Sequence, residues 1–175
     1  MTMTRAGIVT ALGAAVALLL QIIVAPNIAL FSSMPNFIVA YVLIVAILLP
    51  QNASPVLPFV LGLSFDLLGG GPLGAMSLLL VLASFCASRA FAALDNDTLF
   101  IPLAIFAVGA LVVETLYAVL VVAVGTDVSM LDALVYRALP SALFDCVVGF
   151  IMYPFLARAF ASASQQQQPG TARLR

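Results

Sequence analysis

Gly62-Leu63-Ser64-Phe65-Asp66-Leu67-Leu68-Gly69-Gly70-Gly71-Pro72-Leu73-Gly74 decides how this chain folds. An acid sits inside an apolar run, one helical turn after a glycine, so Gly62 and Asp66 share a helix face. A glycine on that face lets a neighbouring helix approach, and the carboxylate then meets protein rather than lipid. Three glycines cannot sustain the helix, and Pro72 fits best in the first turn of the next one. Two readings of Asp66 fit the pattern. It is either an acid near the headgroups at a plain hairpin, or part of a structural or partner-binding locus made with Gly62, Gly70, Pro72 and Gly74.

Outward from that hairpin the composition leaves one class. The chain is 65% hydrophobic and 7% charged, against roughly 25% charged in soluble domains. It is therefore read as one polytopic, all-α membrane domain over residues 1–160, followed by a polar, disordered tail over 161–175. A net charge of −1 argues against nucleic acid as a partner. Cys86 and Cys146 lie in apolar runs and read as small packing residues, not as a disulfide or zinc site. Histidine and lysine are absent from the sequence. The glycine run lacks the lysine of a phosphate loop, so no cofactor and no enzymatic activity is expected.

The apolar runs predict about six transmembrane helices: 6–25, 37–49, 56–68, 73–93, 99–124 and 131–160. The first is too long for a signal-peptide core and is read as a retained span. Gly7, Ala11, Ala14, Leu18, Gln21 and Ala25 form a small, weakly polar stripe on it that should face other helices. Runs two and three are shorter than the ~20 residues that cross a bilayer core. Either they extend into their Pro/Asn/Ser-rich linkers, or the glycine turn lies below the membrane surface, sheltered by protein. With both termini cytoplasmic, Arg5, Arg89, Arg158, Arg173 and Arg175 lie inside and only Arg137 outside. The positive-inside rule favours that orientation. Without tryptophan, the interfacial belt falls to tyrosines such as Tyr41, Tyr136 and Tyr153.

Three acids fall within spans: Asp66, Glu114 and Asp145. An intramembrane charge costs at least ~2.5–3.5 kcal/mol on insertion scales, so each is a functional candidate. Ala107, Ala110, Glu114 and Ala118 make a narrow face of small residues. Arg137, Ser141, Asp145 and Gly149 share a stripe on the last span. Arg137 and Asp145 are too far apart along the helix to pair, which leaves Asp66 or Asp132 as partners for Arg137. Gln21, Glu114, Arg137, Ser141 and Asp145 are thus candidates for a buried polar network. It serves either a proton or substrate path, or helix packing.

Phe59-x-x-Gly62-Leu63-x-x-Asp66-Leu67-Leu68-x-x-x-Pro72-Leu73-Gly74 resembles the motif of the bacterial rod-shape-determining MreD family. Pro35-Asn36 matches the start of that family's second helix, and the resemblance extends over nearly the whole chain. Pro58 and the run Gly69-Gly70-Gly71 depart from the usual pattern. The resemblance implies a non-catalytic subunit of the cell-elongation machinery in the cytoplasmic (inner) membrane. It would bind the single-span protein MreC and, through it, act on RodA, a class B penicillin-binding transpeptidase and MreB filaments, so supporting lateral peptidoglycan synthesis. The family is also similar in architecture to the substrate-binding subunits of energy-coupling-factor transporters. A small-molecule (vitamin-like) binding subunit is therefore the alternative, with Ala11-x-x-x-Ala15 spaced for docking a transport module. The buried acids alone would also suit a small permease or a lipid-handling protein.

Overall fold

Twelve apolar residues without a single charge make the helix around which the rest is assembled. The computed structural model describes residues 5–29, 33–52, 54–94, 100–125 and 128–165. Six helices carry the fold: α1 (Arg5–Ile23), α2 (Phe37–Leu48), α3 (Val56–Gly69), α4 (Ala75–Ala93), α5 (Phe100–Ala123) and α6. The last is continuous in three pieces, a turn at Met130–Asp132, a π-helical stretch at Ala133–Ala138 and an α-helix at Leu139–Gln165. A helix that is apolar all round belongs inside, and α2 is buried over Phe37–Ile47. It touches α1, α3, α4, α5 and α6.

Helix lengths follow from that position. At 1.5 Å per residue, α2 is about 18 Å long and α3 about 21 Å, against about 36 Å for α5. Neither short helix spans a ~30 Å hydrocarbon core alone. α1, α4, α5 and α6 are long and apolar enough to cross a membrane. Leucines, valines and phenylalanines stand exposed along them, as on a lipid-facing surface.

Several expectations change in detail. Pro72 is not in the first turn of α4; it lies in the turn before it, where its carbonyl accepts from the Ala75 amide at 3.1 Å. Pro58 does occupy the first turn of α3, where its missing N–H costs nothing. Tyr41 is no interfacial anchor. It is fully buried, its ring lies over Gly13 of α1, and its hydroxyl donates to the Thr10 carbonyl at 2.7 Å. The expected stripe on α1 packs inward at Ala14, Leu18, Gln21 and Ala25, with Gly13 and Ala17 added beside it, whereas Ala11 is exposed. Cys86 is on the exposed face of α4 and Cys146 is half-buried. α6 runs to Gln165, past the expected boundary at 160. The polar loop 95–97, Asp127 and the tail from 166, with Arg173 and Arg175, lie outside the described residues.

Candidate functional site

Starting a helix inside a bundle poses a problem of unpaired donors. The first amides of an α-helix have no intrahelical acceptor, and a hydrocarbon surround offers no water to replace one. Two helices, α2 and α4, begin at the same end of the bundle, where the glycine turn also lies. Each is capped by side chains from other helices.

At α4, the N-cap residue is Gly74, which has no side chain to offer. Asp66 takes over from the last turns of α3. Its Oδ2 accepts the Gly74 amide at 2.9 Å, and its carboxylate accepts the Met76 amide at 3.1–3.2 Å, with Ser77 N at 3.5 Å. Asp66 is only 1% exposed. An anion at a helix N-terminus is also favoured by the aligned peptide dipoles. Reaching those amides requires α3 and α4 to lie backbone to backbone. A Cβ on Gly62 would stand 2.5–2.6 Å from the Ser77 backbone, so only glycine fits. Gly70 and Gly74 take left-handed conformations (φ 64° and 89°) that fold the turn back. Gly62, Asp66, Gly70 and Gly74 thus form one internal lock, with Pro72 in the connection it closes.

At α2, Asn36 is the N-cap and its Oδ1 accepts the Val39 amide at 3.1 Å. The remaining donors turn outward. Asn36 N–H donates to Asp145 Oδ1 at 2.6 Å, and Phe37 N–H to Gln21 Oε1 at 2.7 Å. Asn36 Nδ2 donates to Glu114 Oε1 at 3.2 Å. Ser33 Oγ donates to the Arg137 carbonyl at 2.9 Å and lies 3.0 Å from Ser141 Oγ. The five polar-network residues are therefore brought together around the Pro35-Asn36 helix start, on α1, α5 and α6.

Arg137 departs from expectation. Among the described residues it forms no ion pair with Asp66 or Asp132; its charge acts instead on Glu114 and Tyr117. Asp132 is engaged at the start of α6, where Ser129 Oγ caps the Asp132 amide at 3.1 Å and donates to its carboxylate at 2.7 Å. The π-helical stretch carrying Arg137 ends just before Pro140, which supplies no amide to the carbonyls one turn back. Pro140 was the sequence signal for this irregularity. Asn36 and Ser33 are the network members that the intramembrane acids did not disclose. Pro35-Asn36 reads as the start of the second helix, but nothing in the sequence ties that start to the distant acids, and Ser33 falls in the preceding loop.

Between the two capped starts lies a cavity of about 300 Å³. Gln21, Asn36, Glu114, Tyr117, Arg137 and Ser141 supply its polar wall, and Phe65 and Leu68 of α3 close it beside the glycine turn. Phe65 and Tyr117 meet edge to face, with centroids 5.8 Å apart. The hairpin and the polar network thereby form one continuous site.

A short buried helix and a longer one, each started with the help of an acid from a neighbouring helix, within a bundle of long apolar helices, define a polytopic helical membrane protein. A family model described as rod shape-determining protein MreD matches residues 2–161. The chain belongs to that family, and its role is accordingly that of a rod-shape-determining membrane protein. No curated protein and no solved structure matches it.

Proposed function

We propose that the protein is a non-catalytic subunit of the cell-elongation complex in the cytoplasmic membrane, with both termini cytoplasmic, and that it binds MreC. Through MreC it supports lateral peptidoglycan synthesis by RodA and a class B penicillin-binding transpeptidase, in register with MreB. The family match over residues 2–161 carries this reading. The α3–α4 hairpin adds a physical rationale, because its motif residues are spent on holding two helices in one fixed relation. Phe59, Val60 and Leu67 of α3 and Leu78 and Leu82 of α4 remain exposed on that rigid pair, a surface suited to a partner helix in the membrane.

The test is co-purification of MreC with the wild type, Gly62→Leu and Asp66→Leu, after all three are shown to accumulate equally in the membrane. Reduced recovery with both variants is expected. Undiminished recovery would remove the hairpin from the interface. The vitamin-like alternative keeps one observation in its favour, the cavity lined by Glu114 and Arg137. A subunit of that kind, built like those of energy-coupling-factor transporters, would keep MreC binding unaffected and lose a water-soluble ligand instead.

A further inference from the structure

Capping accounts for one oxygen each of Glu114 and Asp145, and the cavity beside them is left over. Glu114 is 8% exposed and faces the cavity, with Oε1 held by Asn36. Asp145 lies fully buried against the Glu114 carboxyl, outside the cavity lining. Asp66 lies close by, within electrostatic reach of Tyr117. Glu114 and Arg137 both line the cavity, whereas Asp66, held by the amides at the start of α4, and Asp145 do not. The cavity therefore offers one carboxyl and one guanidinium to a ligand that carries charges of both signs.

The rim has the opposite character. Ile22, Met34 and Leu68 line the same cavity and are exposed on the outside of the bundle. Ile22 and Leu68 sit at the ends of α1 and α3, two helices that touch each other little. A polar interior behind an apolar mouth suits a ligand with a charged head and a hydrocarbon body. A water-soluble zwitterion would gain nothing from such a rim. The volume, about 300 Å³, is at the small end of ligand pockets, enough for a headgroup and not for acyl chains.

We propose that this cavity binds the headgroup of a phospholipid carrying both a primary ammonium and a phosphate. The ammonium donates to Glu114, the phosphate accepts from Arg137, and the acyl chains leave across Ile22 and Leu68. The inference rests on the cavity alone and stands whether or not MreC is the partner.

Native mass spectrometry of the full chain, delipidated and titrated with dioleoyl lipids, tests it. Phosphatidylethanolamine should be retained about tenfold over phosphatidylglycerol, which lacks the ammonium, and over phosphatidylcholine, whose ammonium has no N–H donor. Glu114→Gln should abolish that preference, while Arg137→Gln should weaken all three lipids. Equal retention of the three by the wild type would overturn the proposal, as would a preference that survives Glu114→Gln. If Glu114→Gln does not accumulate, the exposed Arg137→Gln carries the test, and unchanged retention there refutes it. Displacement by glycerophosphoethanolamine as effectively as by the intact lipid would overturn the lipid assignment in favour of a soluble ligand.

Discussion

Replacing Asp66 by leucine removes the acceptor for the Gly74 and Met76 amides, and for the longer contact from Ser77, at the start of α4. Met76 is fully buried, so its amide finds no water, and an unsatisfied buried donor costs about 1–3 kcal/mol. The Gly74 amide is half-buried and falls at the low end of that range. Losing the anion at the helix start adds roughly 0.3–2 kcal/mol. The sum is about 2–6 kcal/mol, and alternative partners within the bilayer pull it to the lower half. At about 2–4 °C per kcal/mol for a chain of this length, the melting midpoint in detergent should fall by on the order of 10 °C. Asp66→Asn separates the contributions. It keeps an acceptor oxygen and loses the charge, so it should cost about 1 kcal/mol. Hydrogen exchange of the residue 74 and 76 amides should accelerate strongly in the leucine variant and little in the asparagine one. Equal destabilisation by both variants, or by neither, would refute the capping account.

Gly62→Ala should lower the melting midpoint although alanine is the better helix former, because its methyl would meet the Ser77 backbone at 2.5 Å; an unchanged midpoint would contradict the close crossing. Glu114→Gln should preserve membrane accumulation better than Glu114→Lys, since glutamine can still accept from Asn36 while lysine sets two donors against each other. Equal levels on immunoblot would argue against that bond. Tyr41→Phe should cost about 0.5–1.5 kcal/mol by losing the bond to the Thr10 carbonyl, read as a shift in thermal unfolding in detergent. Reporter fusions at Asp97 and Arg175 should report cytoplasm and one at Asp127 the exterior; an exterior signal at Arg175 would reverse the proposed placement of the C-terminus.

What could be read in advance depended on how local each signal was. The helices were legible because apolar runs and proline-glycine punctuation are properties of neighbouring residues. Gly62 and Asp66 were legible as a pair by their i, i+4 spacing, but the acceptor role of Asp66 was not, since its donors are eight to eleven residues away across a turn. Asp145 and Asn36 are separated by 109 positions. No periodicity reports such a meeting, and the acids alone could not say whether they served transport or packing. Tyr41 misled for a similar reason: a tyrosine in a membrane chain suggests the interface, whereas here its hydroxyl is satisfied by a carbonyl of α1 deep in the bundle.

The short α2 ties these features together. A helix of about 18 Å buried on all sides must begin and end within protein. Its first amides then have to be met at depth, and Gln21, Asn36 and Asp145 meet them. α4 starts at the same end and draws in Asp66 for the same reason. Glu114 joins them through the Asn36 side chain, and Arg137 lines the same cavity. The π-helical stretch before Pro140 places that arginine on the cavity wall. A polar chamber behind an apolar rim is thus a consequence of shortening the central helix. Lengthening α2 by a turn at its start would give the amides of residues 36 and 37 intrahelical acceptors and so release Asp145 and Gln21 from them. Its length therefore decides which side chains of α1 and α6 are drawn to that end of the bundle.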